Sequence, residues 1–247
     1  MFRLSFSLSS ACRHLLAGAV LLGLSVAARA ATGAAADPRD MAGRVQACTA
    51  CHGAEGRATN QGYFPRIAGK PEGYLYHQLL NFRDGRRRYA PMAHLLQHLS
   101  DDYLREMAAY FAALDLPYPP PQTSGASPAV LAHGLALVRQ GDPARGIPAC
   151  VQCHGEAMTG VRPAIPGLLG LPRDYLNGQL GAWKNGQRRA QAPDCMAAVA
   201  ARLTPDDVSA ISTWLSAQPI VDAKPVASLP APMPVDCGGV ADRGVAR

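Results

Sequence analysis

The chain has 247 residues, 48% of them hydrophobic, and 24 basic against 18 acidic residues give it a formal charge of +6. This is a globular composition at a length that suits one large domain or two small ones, and it excludes disordered and fibrous classes. Arg3, Arg13 and Arg29 all fall in an N-terminal leader, which leaves about +3 on the remainder, too weak a bias for a nucleic-acid-binding protein.

Residues 1–30 read as a signal peptide: a basic start, an apolar run from Leu15 to Val26, and the small-x-small sequence Ala28-Arg29-Ala30, with cleavage near Ala30/Ala31. The run is shorter than the roughly 20 residues a membrane span needs. An exported soluble protein with at most peripheral membrane association is expected, in an oxidising compartment where unprotected thiols pair or are captured. Of seven cysteines, Cys12 leaves with the leader.

The first motif is Cys48 to Gly53, CTACHG. Pro65 follows, then a helix beginning after Pro71 that buries Leu75, Leu79 and Phe82 and stops at Gly85. Beyond the basic cluster Arg86 to Arg88 stands Met92, seven residues before Leu99. A second helix then opens at Asp101, capped by Ser100, with Leu104, Met107, Ala108, Phe111 and Leu114 on one face. The stretch 117–128 is rich in proline with a Ser/Gly end, a semi-rigid linker.

The same series then recurs. CVQCHG spans Cys150 to Gly155, Pro166 follows, and a helix after Pro172 carries Leu176, Leu180 and Trp183 and stops at Gly186. Arg188 and Arg189 come next, then Met196 seven residues before Leu203, and a helix capped by Thr204 with Pro205 in its first turn. Residues 65 to 88 and 166 to 189 align at a constant offset of 101, pairing Gly69 with Gly170, Tyr74-Leu75 with Tyr175-Leu176, Gln78-Leu79 with Gln179-Leu180, and Arg87-Arg88 with Arg188-Arg189. No strand pattern of useful length appears. The expectation is an all-α fold of two tandem domains, 37–116 and 129–219, joined by the Pro-rich linker and followed by an irregular extension, 220–247. Domains this small often lean on a disulfide, a metal or a large bound group.

Two cysteines separated by two residues place both sulfurs on one side of a helical turn, and the adjacent histidine faces what they grip. Zinc would need further ligands in each half, and the second half has no histidine after His154 and only Cys195 to add. A redox dithiol belongs on a mixed fold and leaves the repeated histidine without a role. Covalent haem uses every residue: Cys48 and Cys51 with His52, and Cys150 and Cys153 with His154, so two haem c groups are expected. The shared register makes Met92 and Met196 the expected sixth ligands. Met107 reads as core packing, Met158 stands too close to His154, and His94 and His98 are unmatched in the second half. Pro65 and Pro166 mark where a backbone carbonyl is expected to accept the imidazole N–H. The arginine clusters read as solvated faces, partner-steering charges or holders of haem carboxylates.

These features resemble the dihaem cytochrome c4 family, two class I cytochrome c domains in one chain. The resemblance covers about residues 40 to 218 and rests on CTACHG and CVQCHG, the segments GYLYHQL and DYLNGQL, and the two methionines before LSDDYLREMAAYFAAL and LTPDDVSAISTWLSAQ. It implies a periplasmic electron carrier without catalytic residues, working among redox partners such as a quinol-oxidising complex, a terminal oxidase or a dehydrogenase. Two other functions remain open, a haem enzyme of thiosulfate dehydrogenase type and a cytochrome subunit of a periplasmic dehydrogenase. Cys195 and Cys237 are left over once the haems are served. Either they pair, or Cys195 ligates the second iron in place of Met196.

Overall fold

The computed structural model describes residues 40–59, 61–220 and 224–240. The leader over residues 1–30, its cleavage point near Ala30/Ala31, and residues 37–39 of the first expected domain lie outside the described residues. In the first half α1 (Met41–Arg44) and α2 (Gln46–His52) are followed by α3 (Glu72–Arg83), α4 (Ala90–Leu96) and α5 (Asp101–Ala113). The second half runs α6 (Pro128–Arg139), α7 (Val151–His154), a hairpin of β1 (Gly160–Val161) and β2 (Ile165–Pro166), α8 (Arg173–Lys184), α9 (Cys195–Arg202) and α10 (Pro205–Ser216).

The long helices begin and end where local chemistry requires. Ser100 Oγ accepts from the Tyr103 N–H at 3.3 Å at the head of α5, and Thr204 and Asp207 form a reciprocal capping box at the head of α10. After α3 and α8 the chain turns through Gly85 and Gly186 at φ +76° and +75°, a left-handed conformation that glycine adopts without strain. Each half then buries its own apolar cluster. Leu75, Phe82, Leu104, Met107 and Phe111 are central to the first, and Leu137, Val138, Leu176, Ile211 and Leu215 to the second. The hairpin departs from the strand-free expectation: Gly160 pairs with Pro166 and Val161 with Ile165. Two residues per strand are too few to show an alternating pattern.

The proline-rich stretch is stitched down on both sides. The buried Arg66 guanidinium donates to the carbonyls of Leu116 and Pro117 at 2.5 and 2.8 Å and lies 4.2 Å from the Tyr118 ring centroid. Gln122 N–H donates to Ser216 O at 2.9 Å, fixing the far end to α10. The extension carries no helix in its described part, yet Val226 bonds to the hairpin through Gly160 O and the Arg162 N–H, and Cys237 is disulfide-bonded to Cys195 at the head of α9.

Where α3 meets α8 the repeat becomes a symmetric contact. Arg87 donates to Tyr175 Oη at 3.1 Å and Gln179 Oε1 at 2.5 Å, and Arg188 donates to Tyr74 Oη at 3.4 Å and Gln78 Oε1 at 3.1 Å. The strands of chain at this point also exchange backbone bonds, Arg88 N–H to Gln187 O and Arg189 N–H to Arg86 O. Such reciprocity is the signature of a two-fold interface. The solvated-face reading therefore fails for Arg87 and Arg188, both buried.

Candidate haem sites

Each CxxCH motif sits on a short helix that ends at its histidine. Cys48 and Cys51 lie one turn apart on α2, and Cys150 caps the α7 turn that carries Cys153 and His154. The glycine after each histidine reverses the chain at positive φ, +76° at Gly53 and +83° at Gly155. A side chain at Gly53 would put its Cβ 2.2 Å from Ala58 O, so only glycine permits this return.

Both imidazoles are oriented by a proline carbonyl. His52 Nδ1–H donates to Pro65 O at 2.9 Å and His154 Nδ1–H to Pro166 O at 2.8 Å. Because a carbonyl only accepts, the proton resides on Nδ1 and the Nε2 lone pair is left for a metal. Burial lowers the basicity of both rings against the raising effect of the proline bond, and Arg87 near His52 and Lys70 near His154 lower it further. Burial also raises the thiols, Cys48 above its ordinary value and Cys150 to about 12. Among the described residues no group of three or more His, Cys, Asp or Glu is arranged to hold an ion, which speaks against zinc.

None of the four motif cysteines is in a disulfide, and all line one cavity of about 600 Å³ that passes through both halves. His52, His154, Met92 and Met196 line it as well. Met92 stands near the start of α4 and Met196 near the start of α9, matched places in the two halves. Met107 also borders the cavity but is buried in the first core, and Met158 is buried in the second. Met233 in the extension reaches the cavity too, a contact sequence reasoning did not consider. The Cys195–Cys237 disulfide engages the sulfur that competes with Met196.

The lining asks for an acidic, largely apolar guest. Arg87 and Arg188 are buried at the cavity, stacked on Phe82 at 4.4 Å and Trp183 at 3.8 Å, and neither pairs with a carboxylate among the described residues. Trp183 Nε1 is a buried donor without a partner. Two uncompensated cations and an orphaned N–H beside apolar walls fit a porphyrin with carboxylate substituents. Sequence reasoning aligned Tyr74 with Tyr175 and Gln78 with Gln179 but gave them no role. The available signal was that polar residues, not only core positions, are repeated.

Comparisons with known proteins follow the same line. No family model matches the chain. It is 38% identical over 213 residues to a thiosulfate dehydrogenase electron acceptor of Thiomonas intermedia, covering 86% of this chain and 94% of the relative. It is 37% identical over 196 residues to a cytochrome c4 of Pseudomonas aeruginosa, covering 78% of this chain and 92% of the relative. The crystal structure of reduced recombinant cytochrome c4 from Pseudomonas stutzeri superimposes with a TM-score of 0.62 at 31% identity, over 71% of this chain and 95% of that one.

Proposed function

From the premise that the chain belongs to the dihaem cytochrome c4 family, two tandem class I cytochrome c domains carrying two haem c groups, we propose that it is a periplasmic carrier delivering electrons from a dehydrogenase toward the respiratory chain. The donor best supported is a thiosulfate-oxidising dehydrogenase, since a relative at 38% identity bears the name of that enzyme's electron acceptor. A quinol-oxidising complex and a terminal oxidase are the other partners in this reading. Among the described residues no helix is long and apolar enough to cross a membrane, and residues 1–30 are read as the export leader.

Bound haem supplies an iron that gains and loses one electron. The positions of the chain's own residues support the following roles. Cys48, Cys51, Cys150 and Cys153 would hold the porphyrins as thioethers, and His52 and His154 would present Nε2 to the irons, with the carbonyls of Pro65 and Pro166 fixing their tautomer. Met92 and Met196 would supply a thioether sulfur to each iron beside the histidine nitrogen. With both ligands bound, no coordination position would be left for a substrate, which favours electron transfer over catalysis. The observation that carries this reading is the pair of proline-locked histidines opening on one cavity. The enzymatic alternative needs an exchangeable ligand or a Cys195 thiolate, and that sulfur is in a disulfide.

A redox titration of the purified protein followed by visible and near-infrared absorption tests it. Two haems per chain, a methionine-to-iron charge-transfer band on both, and no carbon monoxide binding by the reduced protein at neutral pH are expected. Carbon monoxide binding at either iron overturns the carrier reading for that site.

A further inference from the structure

The contact between the halves is symmetric at Arg87 and Arg188, but one cation crosses it without a counterpart. Lys70, on the turn before α3, donates its Nζ to Gly167 O in the second half at 2.8 Å. That acceptor is one residue beyond Pro166, whose own carbonyl takes the Nδ1 proton of His154. At the offset of 101 the partner of Lys70 is Leu171, a buried apolar residue, so the second half returns no charge from this position.

Lys70 is 4% exposed, borders the cavity, and has no carboxylate partner among the described residues. Burial, and after it the neighbouring Arg66, push its ammonium down to about 7. A buried ammonium held by a backbone carbonyl costs stability that an aliphatic side chain would not, so packing alone does not account for a lysine here.

We propose that Lys70 is a positioning residue for the second haem site, its charge delivered across the domain interface to favour the reduced state of that haem over the first. The inference rests on the reading that both sites carry haem. A positive charge in a poorly solvated setting stabilises the added electron, so electrons entering the molecule settle toward the second half.

The test is a redox titration at pH 6 of the holoprotein and of Lys70→Met, Lys70→Gln and Lys70→Arg, followed by NMR of the His52 and His154 ring signals so that each site is read separately. In Lys70→Met and Lys70→Gln the second midpoint falls and the first stays, shifting the electron's distribution between the haems on the order of tenfold. Lys70→Arg keeps the wild-type order. Gln retains a donor for Gly167 O, so it carries the test if the Met variant fails to fold. Unmoved midpoints, equal movement of both, or a Gln variant that behaves as wild type overturns the proposal and leaves Lys70 as a tie between the halves. A missing haem in the wild-type protein would instead remove the proposed function.

Discussion

Asp207 shows how one side chain holds the second half together. It is buried, and its carboxylate accepts from Arg145 at 2.6 Å, from His133 Nε2 at 2.8 Å and from the Thr204 N–H at 2.8 Å. Burial alone would raise its pKa, but these bonds, led by Arg145, outweigh it and hold the carboxyl well below the usual range. A carboxylate depressed by folding contributes stability that is complete above its unfolded value near 4 and drains away as pH falls toward its folded value. Urea unfolding read by tryptophan fluorescence reports on this half, since Trp183 and Trp214 are the only tryptophans. Stability of the wild type is expected to fall below about pH 4. Asp207→Asn loses roughly 2–3 kcal/mol at neutral pH and flattens that acid limb. Thr204 was legible as a cap because the cap and its helix are adjacent in sequence. Asp207's partners were not, since His133 and Arg145 lie more than sixty residues away and nothing in a local pattern joins them.

A close helix approach lies between α6 and α10, where Gly134 faces the backbone of Ala210. A Cβ at Gly134 would stand 2.3 Å from Ala210 O, an atom that cannot move without α10. Alanine ordinarily favours a helix over glycine by about 1 kcal/mol. Here the overlap is with backbone and costs about 2–3 kcal/mol, the upper part of the overpacking range, so thermal unfolding of Gly134→Ala should show a net loss of roughly 1–2 kcal/mol. A gain would mean the two helices can separate freely. The same packing explains which helices the sequence revealed. α5 and α10 carry side-chain caps, α3 and α8 end at glycines, each has apolar residues at helical spacing, and all were readable. α6 was not, because PAVLAHGLALVR is strongly apolar throughout and its Ser127-Pro128 start falls in the stretch read as the linker. α4 and α9, with seven and eight residues, are too short for a period to register. The methionines on those two helices were singled out from register alone, and Pro65 and Pro166 from their matching positions in the repeat.

At the scale of the molecule, the repeat gives two similar sites and the unrepeated parts make them differ. The internal similarity was visible, but its polar positions acquired meaning only when α3 and α8 met, because two-fold contacts join residues a hundred apart. The extension is the larger asymmetry. Met233, Val235, Gly239 and Val240 wall the cavity in the second half, Gly238 N–H bonds to Pro193 O at 2.9 Å, and the Cys195–Cys237 disulfide fixes the segment beside Met196. The first site keeps an open rim, where Tyr63 and Leu95, at 56% and 49% exposure, border the same cavity. Closing a loop of 42 residues removes disorder from the unfolded chain worth roughly 2–4 kcal/mol. In Cys237→Ser the helices should persist while Tm falls and protease cuts the chain after residue 224. Cyanide should then bind the oxidised second haem faster than the first, because its cover has gone and Met196 has lost the anchor at the neighbouring residue. Equal cyanide kinetics at the two haems, with the tail still protected from protease, would mean the extension is held by the Val226 pairing and the Pro193 bond rather than by sulfur.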